Sequence, residues 1–164
     1  MNWRKINCWL VFSGIIIIGG YGQTNMQKSS FADLRNKISE DKEHITVLNF
    51  WATWCRPCVA ELPDFEKINS EFKNNKVNVV LANIDFNSKA DSLVPAFIKK
   101  NNIQSQVVHI TDQDANDWIN SLWYDWTGSI PVTAIYYKGE KVWFYEGPTD
   151  YETLKSILTK YIKQ

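Results

Sequence analysis

Trp51-Ala52-Thr53-Trp54-Cys55-Arg56-Pro57-Cys58 is the stretch that decides the reading of this chain. The residues before it, Ile45-Thr46-Val47-Leu48-Asn49-Phe50, are β-branched and apolar, as a buried strand requires. The residues after it place Leu62, Phe65, Ile68 and Phe72 three or four apart, the spacing of one helix face. A strand thus breaks into a Cys-x-x-Cys turn that opens a helix, and Cys55 falls at the helix N-terminus. There the unpaired amides and the macrodipole favour a negative sulfur. Two cysteines at this spacing can hold a structural disulfide. They can also divide into a reactive thiolate and a resolving thiol. A loop this short stabilises a fold little, which argues for the second use.

Working outward, Ser30-Phe31-Ala32-Asp33 reads as a helix start, with Phe31, Leu34 and Ile38 on one face. Pro63 lies inside the helix after Cys55, and its ring opposes the carbonyl of Val59, which predicts a kink. Val77 to Ile84 reads as a second buried strand, and Ser92 to Asn101 as a helix with Pro95 in its first turn. Val107 to Ile110 is a short strand, and Asp114 to Trp123 a helix. Val132 to Tyr137 and Lys141 to Tyr145 are strands joined by a Lys138-Gly139 turn. Thr149-Asp150-Tyr151-Glu152 reads as a capping box for a last helix that buries Leu154, Ile157, Leu158, Tyr161 and Ile162. Strands and helices alternate and are followed by a hairpin and a helix. That order implies an α/β fold with a mixed sheet and helices on both faces.

The N-terminal 22 residues have the form of a secretory signal. Arg4 and Lys5 precede 13 apolar residues from Cys8 to Gly20, and Gly20-Tyr21-Gly22 is a small-x-small cleavage site. The apolar run is short for a bilayer span, which needs about 20 residues; an uncleaved inner-membrane anchor is the competing reading. The expected domain is 23–164, one unit without repeats or low-complexity linkers. The whole chain has 18 basic and 18 acidic side chains, and losing Arg4 and Lys5 leaves a net charge of −2. No basic excess points to nucleic acid. Cleavage also removes Cys8, so Cys55 and Cys58 are the only cysteines left. An exported chain with one close pair is not a disulfide-stapled scaffold. The Asn/Lys/Ile-rich composition and the Gly22-Gln23 junction fit a bacterial periplasm.

Asn49-Phe50-Trp51-Ala52-Thr53-Trp54-Cys55-Arg56-Pro57-Cys58 with Glu61-Leu62-Pro63 resembles the active-site segment of the TlpA/ResA-like branch of the thioredoxin superfamily. Gly128-Ser129-Ile130-Pro131-Val132-Thr133 resembles that family's cis-proline segment. The resemblance covers roughly residues 29 to 162 in element order, and only these two segments are specific. It implies a thioredoxin fold in which residues 87 to 110 form an inserted helix and strand. It implies a cis peptide before Pro131 and a redox-active Cys55–Cys58 disulfide, with no other cofactor and no metal. Cys55 is then the nucleophile, and the adjacent Arg56 guanidinium and the helix dipole both lower its thiol pKa. Cys58, one turn inside, is the resolving thiol. Thioredoxin has a titrating Asp where this chain has Asn49. In the resembled branch a Glu at the position of Glu61 takes the resolving thiol's proton, a duty that burial would support by raising its pKa. The bland alternative is an acid placed favourably in an early helical turn.

Pro131 would present the Ile130 backbone for pairing with an extended substrate segment, and Trp54, Arg56 and Trp126 are further candidates for substrate contact. Trp118, Trp123, Tyr124 and Trp126 cluster before Pro131. Trp118 and Leu122 share a helix face and suit the core; Trp123 and Trp126 fit a core or a binding groove equally. The expected activity is reduction of disulfides in exported proteins, with recharging by a membrane-bound thiol donor. Family analogues serve cytochrome c maturation or general periplasmic reduction. A disulfide-donating oxidase or isomerase shares every one of these features and differs in redox poise. A zinc site lacks ligands, since only His44 and His109 could join the cysteines. A non-catalytic copper- or partner-binding module is a further alternative, though copper carriers of this superfamily use a wider Cys-x-x-x-Cys with a His. A peroxidase reading fails because no Pro-x-x-x-Thr-x-x-Cys pattern ends at Cys55.

Overall fold

The apolar run before the cysteines becomes the buried middle of a six-stranded sheet. In the computed structural model, which describes residues 26–86, 88–112, 119, 122 and 126–163, the strands are β1 (Met26–Ser29), β2 (Ile45–Trp51), β3 (Val77–Asn83), β4 (Gln106–Ile110), β5 (Val132–Tyr137) and β6 (Glu140–Glu146). Among the described residues the helices that join them include α1 (Phe31–Glu40), α2 (Arg56–Phe72), α3 (Ala90–Lys100) and α4 (Tyr151–Ile162). The strand order is β1-β4-β3-β2-β5-β6. β2 lies parallel to β3 and antiparallel to β5, and every one of its residues is buried. A strand covered on both faces needs a mostly apolar run rather than alternation, which Ile45–Phe50 supplies apart from the buried Thr46 and Asn49.

Neighbours along β2 point to opposite faces. Phe50 meets Phe31 of α1 at 5.9 Å between ring centroids and Trp126 at 5.6 Å. Trp51 points the other way and meets Phe97 of α3 at 5.2 Å. Helices therefore cover both faces, as the element order implied. β4 inserts between β1 and β3, which is the extra helix–strand segment expected at 87–110.

Three details differ from the sequence reading. β1 was not expected: Met26-Gln27-Lys28-Ser29 is polar and half exposed, and becomes a strand only by pairing in parallel with β4. α3 starts at Ala90, two residues before Ser92, so Pro95 lies beyond its first turn. The cap of α4 is Asp150, whose carboxylate accepts from the Thr153 amide at 2.8 Å, and not Thr149. Much of the helix expected at 114–123, with Trp118, Trp123 and Tyr124, lies outside the described residues; Ile119 and Leu122 are helical. The expected signal at 1–22 also lies outside them. Among the described residues no helix is long and apolar enough to cross a membrane.

The β5–β6 hairpin turns on two residues with positive φ, Lys138 at 51° and Gly139 at 75°. That pairing suits a two-residue turn whose twist matches the strands. A Cβ on Gly139 would lie 2.1 Å from the Ser39 carbonyl oxygen. Gly139→Ala combines left-handed backbone strain with a backbone clash. It should cost about 2 kcal/mol or more, read as a lower urea midpoint.

Candidate active site

β2 ends at Trp51, and the turn after it delivers Cys55 as the N-cap of α2. The Cys55 amide donates to the Ala52 carbonyl at 3.1 Å and closes that turn. The Cys58 amide donates to Cys55 Sγ at 3.3 Å, so a sulfur takes the place usually held by a capping oxygen. An amide aimed at the sulfur, with the helix dipole behind it, stabilises a thiolate there. Pro57 has no amide hydrogen and stands in the first turn, where none is needed. Cys55 and Cys58 are joined in a disulfide, with Cα atoms 5.3 Å apart. Cys58 is fully buried, while Cys55 keeps 5% of its surface exposed and is the sulfur at the edge.

The Ile130–Pro131 peptide is cis, and it faces the disulfide: Cys55 Sγ lies 3.8 Å from the Ile130 carbonyl oxygen. Two segments 75 residues apart thus meet at the sulfur. Arg56 and Pro57 are exposed beside it, and Trp54 is exposed over 63% of its surface. Trp126 is different. It is 4% exposed, packs on Phe50, and donates its indole N–H to the Ser129 carbonyl at 2.8 Å. It is a core residue that pins the loop before Pro131, and the substrate-contact reading of Trp126 is corrected accordingly.

Behind the disulfide sits Glu61, one turn beyond Cys58 on α2 and 4% exposed. Asn49 Nδ2 donates to Glu61 Oε1 at 2.8 Å, and the Thr149 amide donates to Oε2 at 2.7 Å. Asn49 Nδ2 also donates to Thr133 Oγ1 at 3.1 Å, two residues past Pro131. Burial pushes the Glu61 carboxyl up to about 7, against the pull of its two hydrogen-bond donors. A carboxyl poised near neutrality can both accept and return a proton. Asn49, the residue that cannot titrate, is therefore the one that holds the residue that can. The sequence hid this link because Asn49 reads as one polar member of an apolar strand. Thr149 was hidden because its motif pointed to a cap.

A thioredoxin-type sheet, a Cys-x-x-Cys disulfide at a helix mouth and a cis-proline against it define a dithiol–disulfide protein of the thioredoxin fold. Residues 23–144 match the AhpC/TSA family, and the chain belongs to that family. It is 32% identical over 92 residues to the thiol-disulfide oxidoreductase ResA of Oceanobacillus iheyensis, covering 49% of this chain and 46% of that protein. It is 34% identical over 104 residues to a thioredoxin of Rickettsia prowazekii, covering 58% of this chain and 94% of that protein. The crystal structure of StoA from Bacillus subtilis superposes with a TM-score of 0.57 at 28% identity, covering 71% of this chain and 83% of that one. The chain spans less than half the length of ResA.

Proposed function

We propose that this protein is an exported thiol–disulfide oxidoreductase that reduces disulfides in partner proteins. The observation that carries the reading is the placement of Cys55. It caps α2, receives the Cys58 amide, and is the less buried of the two sulfurs. In the reduced protein the Cys55 thiolate attacks a partner disulfide, and one partner sulfur leaves as a thiolate. Cys58 then loses its proton to Glu61 and attacks Cys55 Sγ. The Cys55–partner bond breaks, the Cys55–Cys58 bond forms, and the second partner sulfur leaves with the electron pair. Two electrons have passed to the partner, and the Cys55–Cys58 couple is the redox group. The Ile130 carbonyl, Trp54 and Arg56 surround the attacked bond and are the surfaces a partner segment meets.

Export rests on the signal-like N-terminus and on the likeness to ResA and StoA. An oxidising exterior requires an upstream donor, and a membrane-bound thiol protein fits that need. Cytochrome c maturation or general periplasmic reduction are the processes this activity would serve.

Dithiol couples of this fold run from about −270 mV to about −120 mV. Arg56 stabilises the thiolate, hence the reduced form, and moves the couple somewhat toward oxidising. Pro57 keeps the thioredoxin-like half of the dipeptide. Equilibration with glutathione should give a potential nearer the reducing end. A potential near the oxidising end, with fast oxidation of a reduced unfolded protein, would make the disulfide donor the correct reading.

A further inference from the structure

We propose that Asp85 is a positioning residue for Cys55, acting through Thr53; the proposal rests on the dithiol reading above. Asp85 follows β3 and is 1% exposed. Its Oδ2 accepts the Thr53 amide at 2.9 Å, and its Oδ1 accepts the Thr53 hydroxyl at 2.7 Å. Oδ2 also accepts Asn83 Nδ2 at 2.6 Å. Thr53 lies two residues before Cys55, inside the turn that the Cys55 amide closes on Ala52. Both donors of Thr53 are thus spent on one buried carboxylate, and hydrogen bonds of that kind are among the stronger ones.

The carboxylate is itself held. Asn83 Oδ1 accepts the Asp85 amide at 3.2 Å and lies 2.9 Å from His109 Nδ1. Asn83 Nδ2 faces an acceptor, so its Oδ1 must receive the proton of His109 Nδ1, which fixes that tautomer. Asn83 and His109 are register partners on the parallel strands β3 and β4. The turn before Cys55 therefore hangs from the ends of two neighbouring strands. Cys58 lies inside α2, whereas Cys55 caps α2 and joins it to this turn.

Closing the disulfide requires Cys58 Sγ to meet Cys55 Sγ as the partner sulfur leaves. Rate and equilibrium of that step depend on the effective concentration of one sulfur at the other. A turn that loses its anchor gives Cys55 more positions and dilutes the productive one. Loss of one donor to Asp85 should lower the effective concentration about tenfold, since such a bond is worth roughly a factor of ten or more.

The test is the thiol–disulfide equilibrium of the full chain with glutathione, together with the rate of internal closure from a glutathione adduct. Thr53→Val removes the hydroxyl donor at constant shape, and Thr53→Ser restores it. Asp85→Asn sets an amide N–H2 against the donors. Thr53→Val and Asp85→Asn should each shift the equilibrium about tenfold, which is about 30 mV for a two-electron couple. Thr53→Ser should stay within about twofold of the parent, because it keeps the donor. The double variant Thr53→Val/Asp85→Asn should lose no more than Asp85→Asn alone, because the two share the bond. A lower melting temperature with an unshifted equilibrium in Thr53→Val would overturn the proposal, and that comparison suffices if Asp85→Asn does not fold. Glutathione needs no protein partner, so failure to reduce protein disulfides would refute the proposed function separately.

Discussion

Cys55→Ser should abolish protein-disulfide reduction, whereas Cys58→Ala should keep the first attack and accumulate as a covalent adduct with its partner. The asymmetry follows from the N-cap. Cys55 is the sulfur that receives an amide at the helix mouth, a setting that favours a thiolate once the disulfide is reduced, and it is the one with exposed surface. Cys58 is fully buried and bonded to Cys55. Removing the nucleophile leaves no bond to form, a loss on the order of a thousandfold or more. Removing the resolving thiol leaves the mixed disulfide without an internal exit. Turnover of a reduced test protein disulfide reads the first effect, and a mass shift on non-reducing gels reads the second. Adducts trapped by Cys55→Ser/Cys58 protein, with none on Cys58→Ala, would reverse the assignment. The same trapping in cells, with Cys58→Ala, captures the partner itself.

The parts of this fold that were legible in the sequence are those where local pattern and tertiary need agree. Ile45–Phe50 is apolar because β2 is covered on both faces, and α2 shows its buried face at helical spacing. Lys138-Gly139 announces its turn because the backbone there needs positive φ. β1 was illegible because its four residues carry no pattern of their own, and the strand exists only through its pairing with β4. Thr149 misled because the usual capping pattern was present while Asp150 supplied the cap, leaving the Thr149 amide for Glu61. The Cys55–Cys58 pair and the cis bond before Pro131 could be read because each sits in a short motif. What joins them could not. The Asn49 bridge from α2 to β5 and the Asp85 hold on Thr53 span 84 and 32 residues of chain. Trp126 shows the opposite limit: an aromatic beside the site reads equally as surface or core until its indole is seen against Phe50.

Glu61→Gln should change both the pH dependence of stability and that of disulfide closure. Folded Glu61 titrates at about 7, against an ordinary 4.5. Between those values the unfolded chain has released the proton and the folded chain still holds it. The folded state binds more protons there, so this group's contribution falls as pH rises through the window and is level above it. A shift of this size corresponds to about 3 kcal/mol, taken as an order of magnitude. Gln does not titrate, so the stability of the variant relative to the parent should rise by that amount between pH 4.5 and pH 7. Taking the difference between the two proteins matters, because His109 is held below its usual range by burial and contributes the opposite slope near pH 6.5 to both. Urea unfolding at several pH values measures it. The kinetic consequence is separate. If Glu61 receives the Cys58 proton, closure of the parent should show a step near neutral pH that the variant lacks, with slower closure on its alkaline side. Asn49 and the Thr149 amide would still line the pocket, but a neutral amide cannot take a proton from a thiol. A stability difference that changes with pH beside an unchanged closure profile would leave Glu61 as a buried acid with a structural cost and no part in the chemistry. A stability difference that does not change would mean that the carboxyl is ionised throughout, with its two hydrogen-bond donors outweighing its burial.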